Sequence, residues 1–166
     1  MNNCIIFDLD QTLADTSNLE ILRKQRQWNL VYDRLNQIQI DKDFYKVFEI
    51  LRFKEYKIGV VTNSPKKYCL KVLEYLKIDV DFIVGYHCTV LKKPNPDPVL
   101  FCIKQMGNKF DNIFGVGDGV NDIISYKRSN IISIGCLWGR SNNDELIASK
   151  PDYIISKPID LIEILD

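Results

Sequence analysis

The chain has 166 residues, of which 46% are hydrophobic, and it carries 22 acidic and 22 basic side chains. This length fits one compact domain with at most a small insert. Because the formal net charge is zero, the composition predicts no general electrostatic attraction to nucleic acid or to an anionic membrane.

Along the chain, short apolar segments alternate with segments of helical periodicity. Strands are predicted at 4–7, 57–61, 81–85, 112–117 and 131–135, and Tyr153–Ile155 could add a short sixth. Helices are predicted to begin near Asp41, at Ser64-Pro65, at Asp97-Pro98, after Gly117 and at Pro158. The segment between the first strand and Asp41 is more polar, and Trp28, Val31, Tyr32 and Leu35 recur in it at helical spacing.

This alternation predicts an α/β fold with βαβ units and a mainly parallel, five-stranded sheet between two layers of helices. In such a sheet the carboxyl ends of the strands lie at one edge, which is the usual ligand site. We expect residues 1–14 and 41–166 to form this core and residues 15–40 to form a small helical insert.

The cysteines are odd in number, scattered and free of any C-x-x-C pair: Cys4, Cys69, Cys88, Cys102 and Cys136. This pattern favours reduced thiols in a cytoplasmic protein. No apolar run approaches the roughly 18 residues that a transmembrane helix needs, and the first residues show no charged leader followed by an apolar stretch. We therefore expect a soluble protein with no membrane partner.

Polar side chains follow each predicted strand: Asp8 and Asp10 after the first, Thr62 and Asn63 after the second, Lys92 and Lys93 after the third, Asp118 and Asp122 after the fourth, and Trp138, Gly139 and Arg140 after the fifth. Carboxylates that lie close together repel one another unless a cation is present or a pKa shifts. All-oxygen ligands without a nearby His or Cys suit Mg²⁺. The sequence thus predicts a magnesium site at this edge.

Magnesium held by carboxylates commonly binds phosphate groups. Phosphoryl transfer needs a nucleophile, a proton donor and positive charge around the phosphoryl oxygens. Asp8 stands at a rigid strand end and is the natural nucleophile, which would form an aspartyl-phosphate. Asp10 could protonate the leaving oxygen from the other side. Thr62 and Asn63 could donate hydrogen bonds to the phosphoryl oxygens, and Lys93 could neutralise developing charge.

The segments DLDQT (8–12), VVTNS (60–64), KKP (92–94) and GDGVND (117–122) resemble, in this order, the four motifs of the haloacid dehalogenase-like superfamily of phosphohydrolases. The resemblance implies that Asp8 is nucleophile and metal ligand and that Asp10 is general acid/base and lends its backbone carbonyl to the metal. It also implies that Thr62 and Lys93 bind the phosphoryl group. Asp118 would bind Mg²⁺ and Asp122 would support it.

The presence of Asp10 favours a phosphatase or phosphomutase over the members that cleave carbon–halogen bonds. Gln11 stands where glycine is commoner. Residues 15–40 correspond to the helical cap of related phosphoglycolate phosphatases and β-phosphoglucomutase, but they leave room for two short helices at most. The chain therefore resembles a phosphoglycolate-phosphatase-like branch with a much reduced cap.

A small cap leaves the site open to bulky substrates or requires a neighbouring subunit, in a homo-oligomer, to cover it. The substrate is expected to be a phosphorylated small molecule, with a larger phosphorylated substrate as an alternative. Candidates for substrate specificity are Arg23, Lys24 and Arg26 in the insert and Arg140 near the crevice. A solvated helix face is the favoured alternative for the basic cluster in the insert.

Three functions remain open at this point. The leading one is a Mg²⁺-dependent phosphomonoester hydrolase that acts through Asp8. The second is a sugar phosphomutase on the same site, which the small cap disfavours. The third is a non-catalytic phosphate-binding or phosphoaspartate signalling module such as a receiver domain. The acidic residues Asp118 and Asp122, which follow Lys93, disfavour a receiver.

Overall fold

The computed structural model describes residues 2–107, 109–139 and 142–165. A single parallel sheet runs through this part of the chain in the strand order β3-β2-β1-β4-β5-β6. Its strands are β1 (Asn3–Phe7), β2 (Lys57–Val61), β3 (Phe82–Val84), β4 (Asn112–Gly117), β5 (Ile132–Cys136) and β6 (Tyr153–Ile155). The predicted parallel α/β fold is confirmed.

Helices cover both faces of the sheet. They are α1 (Glu20–Lys24), α2 (Trp28–Asp33), α3 (Asp43–Phe53), α4 (Lys66–Leu76), α5 (Asp97–Met106), α6 (Val120–Arg128), α7 (Asn143–Ala148) and α8 (Leu161–Ile164). One buried cluster joins the sheet to α3, α4 and α8, and a second joins it to α5, α6 and α7. The two clusters make the three layers that the alternating pattern predicts.

The central strand β1 divides its side chains between these two clusters. Ile5 and Phe7 lie in the first cluster, whereas Cys4 and Ile6 lie in the second, and all four are fully buried. This alternation follows from the two-residue period of a strand. Because β1 pairs with β2 on one side and β4 on the other, the residues that follow it stand at the middle of the sheet edge.

The insert has well-defined ends. The backbone N–H of Asp15 donates to the carbonyl of Gln39 (2.8 Å), and the N–H of Gln39 donates back to the carbonyl of Asp15 (3.1 Å). Between them lie α1, α2 and two short 3-10 helices. Leu19 and Val31 of this segment are fully buried in the cluster that contains α4, so the insert packs on the same layer as that helix.

The structure differs from the sequence-based prediction in three places. The sheet has six strands and not five, because β6 pairs with β5 along three residues. Helix α7, which the sequence reasoning did not predict, is capped by the Asn142 side chain, which accepts from the N–H groups of Asp144 and Glu145. Helix α4 begins at Lys66, and Ser64 does not cap it, because the Ser64 hydroxyl is used elsewhere, as described below.

The other predicted elements agree with the structure within one or two residues at their ends, apart from the closing segment. That segment begins with a 3-10 turn at Pro158–Asp160 before α8. Within the described ranges, every helix falls short of the length or the hydropathy that crossing a membrane requires.

Candidate active site

The predicted residues converge where the parallel strands end. Asp8 directly follows β1, Thr62 follows β2 and Asp118 follows β4. The ladder continues one residue past β1, because the N–H of Asp8 donates to the carbonyl of Val116 (2.9 Å). All three side chains are buried, with residual exposures of 8%, 4% and 5%. The backbone of the sheet therefore fixes the nucleophile candidate beside the neighbouring acidic residue.

A buried ammonium group lies between two of the carboxylates. The Nζ atom of Lys93 is 2.7 Å from Oδ1 of Asp8 and 2.6 Å from Oδ1 of Asp122, and it also donates to the carbonyl of Val61 (2.8 Å). These three acceptors match the three donors of a lysine ammonium group. Lys93 is thus held in one place by groups from three different elements.

Burial and neighbouring charges act in opposite directions on these groups. Burial raises the pKa of Asp8 well above its usual value, the Lys93 ammonium group opposes that rise, and the nearby carboxylates add to it. Burial lowers the pKa of Lys93, but the charges of Asp122 and Asp8 outweigh it and hold that pKa above its usual value. Lys93 therefore remains charged at neutral pH.

The carboxylates of Asp8, Asp118 and Asp122 could hold a metal ion, since each offers an oxygen and these oxygens lie within 4.8 Å of one another. When all three carboxylates are ionised beside the Lys93 ammonium group, the net charge is −2, which one divalent cation would balance. The donor set is all oxygen, which fits a hard ion such as Mg²⁺. The predicted residues are compatible with the predicted metal.

Close packing and hydrogen bonding fix the position of Asp118. The hydroxyl of Thr12 donates to Oδ1 of Asp118 (3.2 Å) and accepts from the Asp118 N–H (3.1 Å). On the other side lies Gly139, where an added Cβ would stand 2.3 Å from the Cβ of Asp118. Only glycine permits this approach without a shift of the backbone or of the aspartate. Asp122 in turn accepts from the N–H of Gly119 (3.0 Å).

Asp10 is surrounded by donors that the sequence reasoning did not assign to it. Its Oδ1 accepts from the hydroxyls of Thr16 (2.8 Å) and Tyr68 (2.9 Å) and lies 2.9 Å from Nη1 of Arg23. Its Oδ2 accepts from the hydroxyl of Ser64 (2.6 Å). The insert and helix α4 therefore meet at this carboxylate. Of these four residues, the sequence predicts a functional role only for Arg23, as a candidate for substrate specificity.

A sequence signal for these partners is weak. Tyr68 shares the apolar face of α4 with Val72 and Leu76. An aromatic ring suffices as an explanation there, and the Tyr68 ring does pack against Trp28 (centroids 5.7 Å apart). Ser64 before a proline is typical of a helix cap. Thr16 stands in a segment with no strong pattern. The positive φ of Gln11 (69°), at a position where glycine is commoner, shows that the chain turns sharply just after Asp10.

Thr62 and Asn63 stand at the predicted place but already have partners. The Thr62 hydroxyl accepts from the N–H of Ser64 (3.0 Å). The Asn63 amide donates to the backbone carbonyl of Lys93 (3.1 Å) and accepts from the Lys93 N–H (3.3 Å). The Asn63 side chain thereby orders the loop that carries Lys93.

A cavity of about 230 Å³ opens between these groups. Its walls are formed by Asp8, Asp10, Thr62, Asn63, Ser64, Lys93, Asn121 and Asp122. A cavity that narrow and that polar suits a small anion beside a metal ion better than an apolar ligand. Every wall position except Ser64 and Asn121 belongs to the set that the sequence predicted for the site.

Several other candidates lie apart from this cavity. Lys92 packs its ammonium group 4.6 Å from the centroid of the Tyr86 ring. Trp138 donates from Nε1 to the carbonyl of Thr12 (2.9 Å), so its indole supports the loop that follows Asp10. Lys24 forms an ion pair with Glu20 one helical turn earlier (2.5 Å). Arg26 is exposed. Arg140 lies outside the described residues.

Comparison with known families gives one match over most of the chain. Residues 19–136 match the model of the haloacid dehalogenase-like hydrolases. A phosphoglycolate phosphatase from Aquifex aeolicus is 33% identical over 120 residues, which are 71% of this chain and 55% of that protein. A phosphoglycolate phosphatase from Escherichia coli K12 is 33% identical over 117 residues, 69% of this chain and 46% of that protein. The chain thus spans about half the length of these relatives.

Solved structures show the same fold. A predicted phosphoglycolate phosphatase from Haemophilus somnus superimposes with a TM-score of 0.86 at 23% identity, over 99% of this chain and 98% of that one. A protein from Thermotoga maritima, provisionally assigned as a β-phosphoglucomutase, gives a TM-score of 0.80 at 15% identity, over 99% and 98%. Because both identities are below 25%, the likeness shows a shared fold and nothing about activity.

Proposed function

The chain belongs to the haloacid dehalogenase-like hydrolase family, and we propose that it is a Mg²⁺-dependent phosphomonoester hydrolase with Asp8 as the nucleophile. The observation that carries the proposal is the position of the Asp8 carboxylate. It is buried at the end of the central strand, beside the Lys93 ammonium group and within one cluster with Asp118 and Asp122.

In the proposed reaction a carboxylate oxygen of Asp8 attacks phosphorus and the ester oxygen leaves, which gives an aspartyl-phosphate and an alcohol. Asp10 donates the proton that the leaving oxygen needs. It then takes a proton from the water that attacks the aspartyl-phosphate, so that inorganic phosphate is released and Asp8 returns to its starting state. The four donors around Asp10 would keep its carboxylate oriented between the two steps.

Lys93, Thr62 and Asn63 would bind the phosphoryl oxygens or order the loops around them. Lys93 is already charged and fixed, so it would need little reorganisation to stabilise the charge that develops on the phosphoryl group. Asp8, the backbone carbonyl of Asp10, Asp118 and Asp122 would hold Mg²⁺, with Asp122 directly or through water. The bound ion would supply further positive charge against the same oxygens.

The insert at residues 15–40 would act as a reduced cap over this site. Its two α-helices have five and six residues. A phosphomutase must protect its phosphoenzyme from water until the phosphate returns to the substrate. A cover of this size favours hydrolysis over phosphate return, so we rank a sugar phosphomutase second. A non-catalytic phosphate-binding module ranks third, because the proposed nucleophile Asp8, the proposed acid/base Asp10 and Lys93 line one cavity.

We propose a phosphorylated small molecule as the substrate, in the cytoplasm and without a membrane partner. The relatives from Aquifex aeolicus and Escherichia coli, which are named phosphoglycolate phosphatases, support a substrate of this size. The short insert also leaves two further proposals: a larger phosphorylated substrate, or a second subunit of a homo-oligomer that completes the cover.

The test is phosphate release from p-nitrophenyl phosphate, measured with Mg²⁺, with EDTA and with the Asp8→Asn variant. We expect turnover that requires the metal and falls by at least about three orders of magnitude in the variant. Asp144→Asn, an exposed aspartate on α7, is the matched control and should retain wild-type activity. Substantial turnover by a correctly folded Asp8→Asn variant would sink the nucleophile assignment.

A further inference from the structure

All five cation–π contacts among the described residues lie around helix α4, the insert and the loop after β3. They join Arg23 to Tyr68, Lys66 to Phe82, both Lys67 and Lys71 to Tyr32, and Lys92 to Tyr86, with the cation 4.6 to 5.7 Å from the ring centroid. An aromatic ring attracts a cation without cancelling its charge. The four lysines of this set, which we call the basic surface, are thus held in place and remain positive.

The basic surface has no acidic partner. Within residues 2–107, 109–139 and 142–165, none of its four lysines forms an ion pair with a carboxylate. The exposed carboxylates of Asp33 and Glu74, on α2 and α4, pair with none of them. Because the chain as a whole has no net charge, this excess of positive charge is local. Such a concentration favours binding of a polyanion.

A second cavity connects the basic surface to the candidate active site. It has a volume of about 300 Å³ and lies between the insert and the loops that follow β2 and β3. Asn63 and Ser64 line both this cavity and the one that contains Asp8. A molecule whose phosphate lies beside Asp8 could therefore extend into the second cavity without crossing the core.

Aromatic side chains mark the way from the second cavity to the lysines of α4. Trp28 and Tyr86 line the cavity. Tyr32 stands one helical turn after Trp28 on α2, and its ring lies between Lys67 and Lys71 in the sense that both ammonium groups contact it. The path from the site therefore combines aromatic rings with lysines, which is the combination typical of proteins that bind single-stranded nucleic acid.

We propose that the site removes the terminal phosphate of single-stranded nucleic acid, whose chain crosses the second cavity and runs along the basic surface. Hydrolysis would consume one water and give inorganic phosphate and a free terminal hydroxyl group. The terminal base would lie against Trp28 or Tyr86, and Lys67 and Lys71 would contact phosphates further along the chain. The inference rests on the proposed phosphomonoesterase function and specifies the larger phosphorylated substrate that the short insert leaves open.

The experiment compares short single-stranded oligothymidylates and oligouridylates, phosphorylated at the 5′ or the 3′ end, with the matching mononucleotides. The readout is kcat/KM for phosphate release, expressed as the ratio of oligonucleotide to mononucleotide. In wild type at low salt we expect a ratio of about ten or more for one end. An increase from about 50 to about 200 mM salt should lower it about sevenfold if each of two lysines contacts one phosphate.

The variant Lys67→Gln/Lys71→Gln should lower this ratio by at least about fivefold and remove most of its salt dependence. The matched control is Lys104→Gln/Lys109→Gln, which removes two exposed lysines from the opposite side of the sheet and should keep the wild-type ratio. Because both members of each ratio use the same catalytic groups, general damage to the site cancels.

A preference for either end supports the proposal and identifies that end. Equal kcat/KM for oligonucleotides and mononucleotides in wild type would overturn it, as would an unchanged ratio in Lys67→Gln/Lys71→Gln or an equal fall in the control. If such a result comes with metal-dependent turnover of p-nitrophenyl phosphate, the proposed function stands and this inference alone fails. Without turnover of p-nitrophenyl phosphate or of any nucleotide, the proposed function itself fails.

Discussion

The ammonium group of Lys93 lies 2.6 Å from the carboxylate of Asp122, although Lys93 stands in the loop before helix α5 and Asp122 stands in the first turn of helix α6. Both side chains are almost fully buried, at 2% and 8% exposure. A charge in such a place is stable only when it is paired, because transfer from water is costly. The pair therefore links the site to the stability of the fold.

We expect Lys93→Met to lower the free energy of unfolding by about 3 kcal/mol at neutral pH, because it leaves buried carboxylates without their cation. Urea unfolding followed by circular dichroism measures the difference. Lys92→Met is the matched control, since that lysine is only half-buried and contacts an aromatic ring at the surface. An equal effect of the two substitutions would contradict the role of the buried pair. The variant should also lose phosphatase activity.

The packing of Gly139 against Asp118 gives a prediction about metal affinity. A Cβ at position 139 would lie 2.3 Å from the Cβ of Asp118, so Gly139→Ala must displace the aspartate or its loop. We expect Mg²⁺ binding to weaken by about tenfold or more, as found when groups that orient metal ligands are changed. Isothermal titration of the folded variant with Mg²⁺ measures this. An unchanged affinity would show that Asp118 is not a ligand or that the loop adapts at no cost.

The hydrogen bond from Tyr68 to Asp10 gives a prediction about catalysis. Tyr68→Phe keeps the buried ring and removes one donor from the proposed general acid/base. A charge-assisted hydrogen bond contributes about 1.5 kcal/mol, so we expect kcat to fall by about tenfold while the Tm changes little. Tyr45→Phe, which removes a hydroxyl that donates to the carbonyl of Leu76, is the control and should leave kcat unchanged. Equal kcat values in both variants would show that the Tyr68 hydroxyl does not position Asp10 for catalysis.

Stability should depend on pH through Asp81, away from the candidate site. Burial raises the pKa of Asp81, but the N–H of Ile58 and the side chains of Arg52 and Lys57 outweigh it and hold the pKa below its usual value. A depressed carboxyl pKa adds stability above the pKa of the unfolded chain, about 3.9, and this stability is lost as the pH falls through the lower folded value.

Asp81→Asn should therefore cost about 1 kcal/mol of unfolding free energy at pH 6 and progressively less as the pH falls below about 4. Urea unfolding of wild type and variant across this range measures the difference. Asp79→Asn is a suitable control because that side chain is 96% exposed. A difference between wild type and Asp81→Asn that stays constant with pH would contradict the depressed pKa.

The sequence predicts the parts of the site that depend on strand ends, and it does not predict those that depend on packing between distant segments. Asp8, Thr62 and Asp118 could be placed because parallel strands bring their carboxyl ends to one edge. The contacts of Asp10 with Arg23 and Tyr68 depend on how the insert lies against α4, and no local pattern encodes that arrangement.

The same distinction applies to the fold. The apolar strands of five or six residues and the amphipathic helices α3, α4, α5 and α6 have clear sequence patterns, and the sequence predicts them. Helix α7 has six residues and buries a single side chain, Leu146, so it produces no clear hydrophobic period. The strand β6 is three residues long and is held by its pairing with β5, a tertiary interaction that its own sequence only suggests.

The central claim is that phosphate is transferred to Asp8. The most direct measurement uses the Asp10→Asn variant, in which we expect both chemical steps to slow and the aspartyl-phosphate to outlast its normal lifetime. The variant is mixed with p-nitrophenyl phosphate and Mg²⁺, quenched in acid and analysed by peptide mass spectrometry. One phosphoryl group should appear on Asp8 and disappear when the second substitution Asp8→Asn is added. A phosphoryl group on another residue, or an Asp10→Asn phosphoenzyme that hydrolyses at the wild-type rate, would contradict the mechanism.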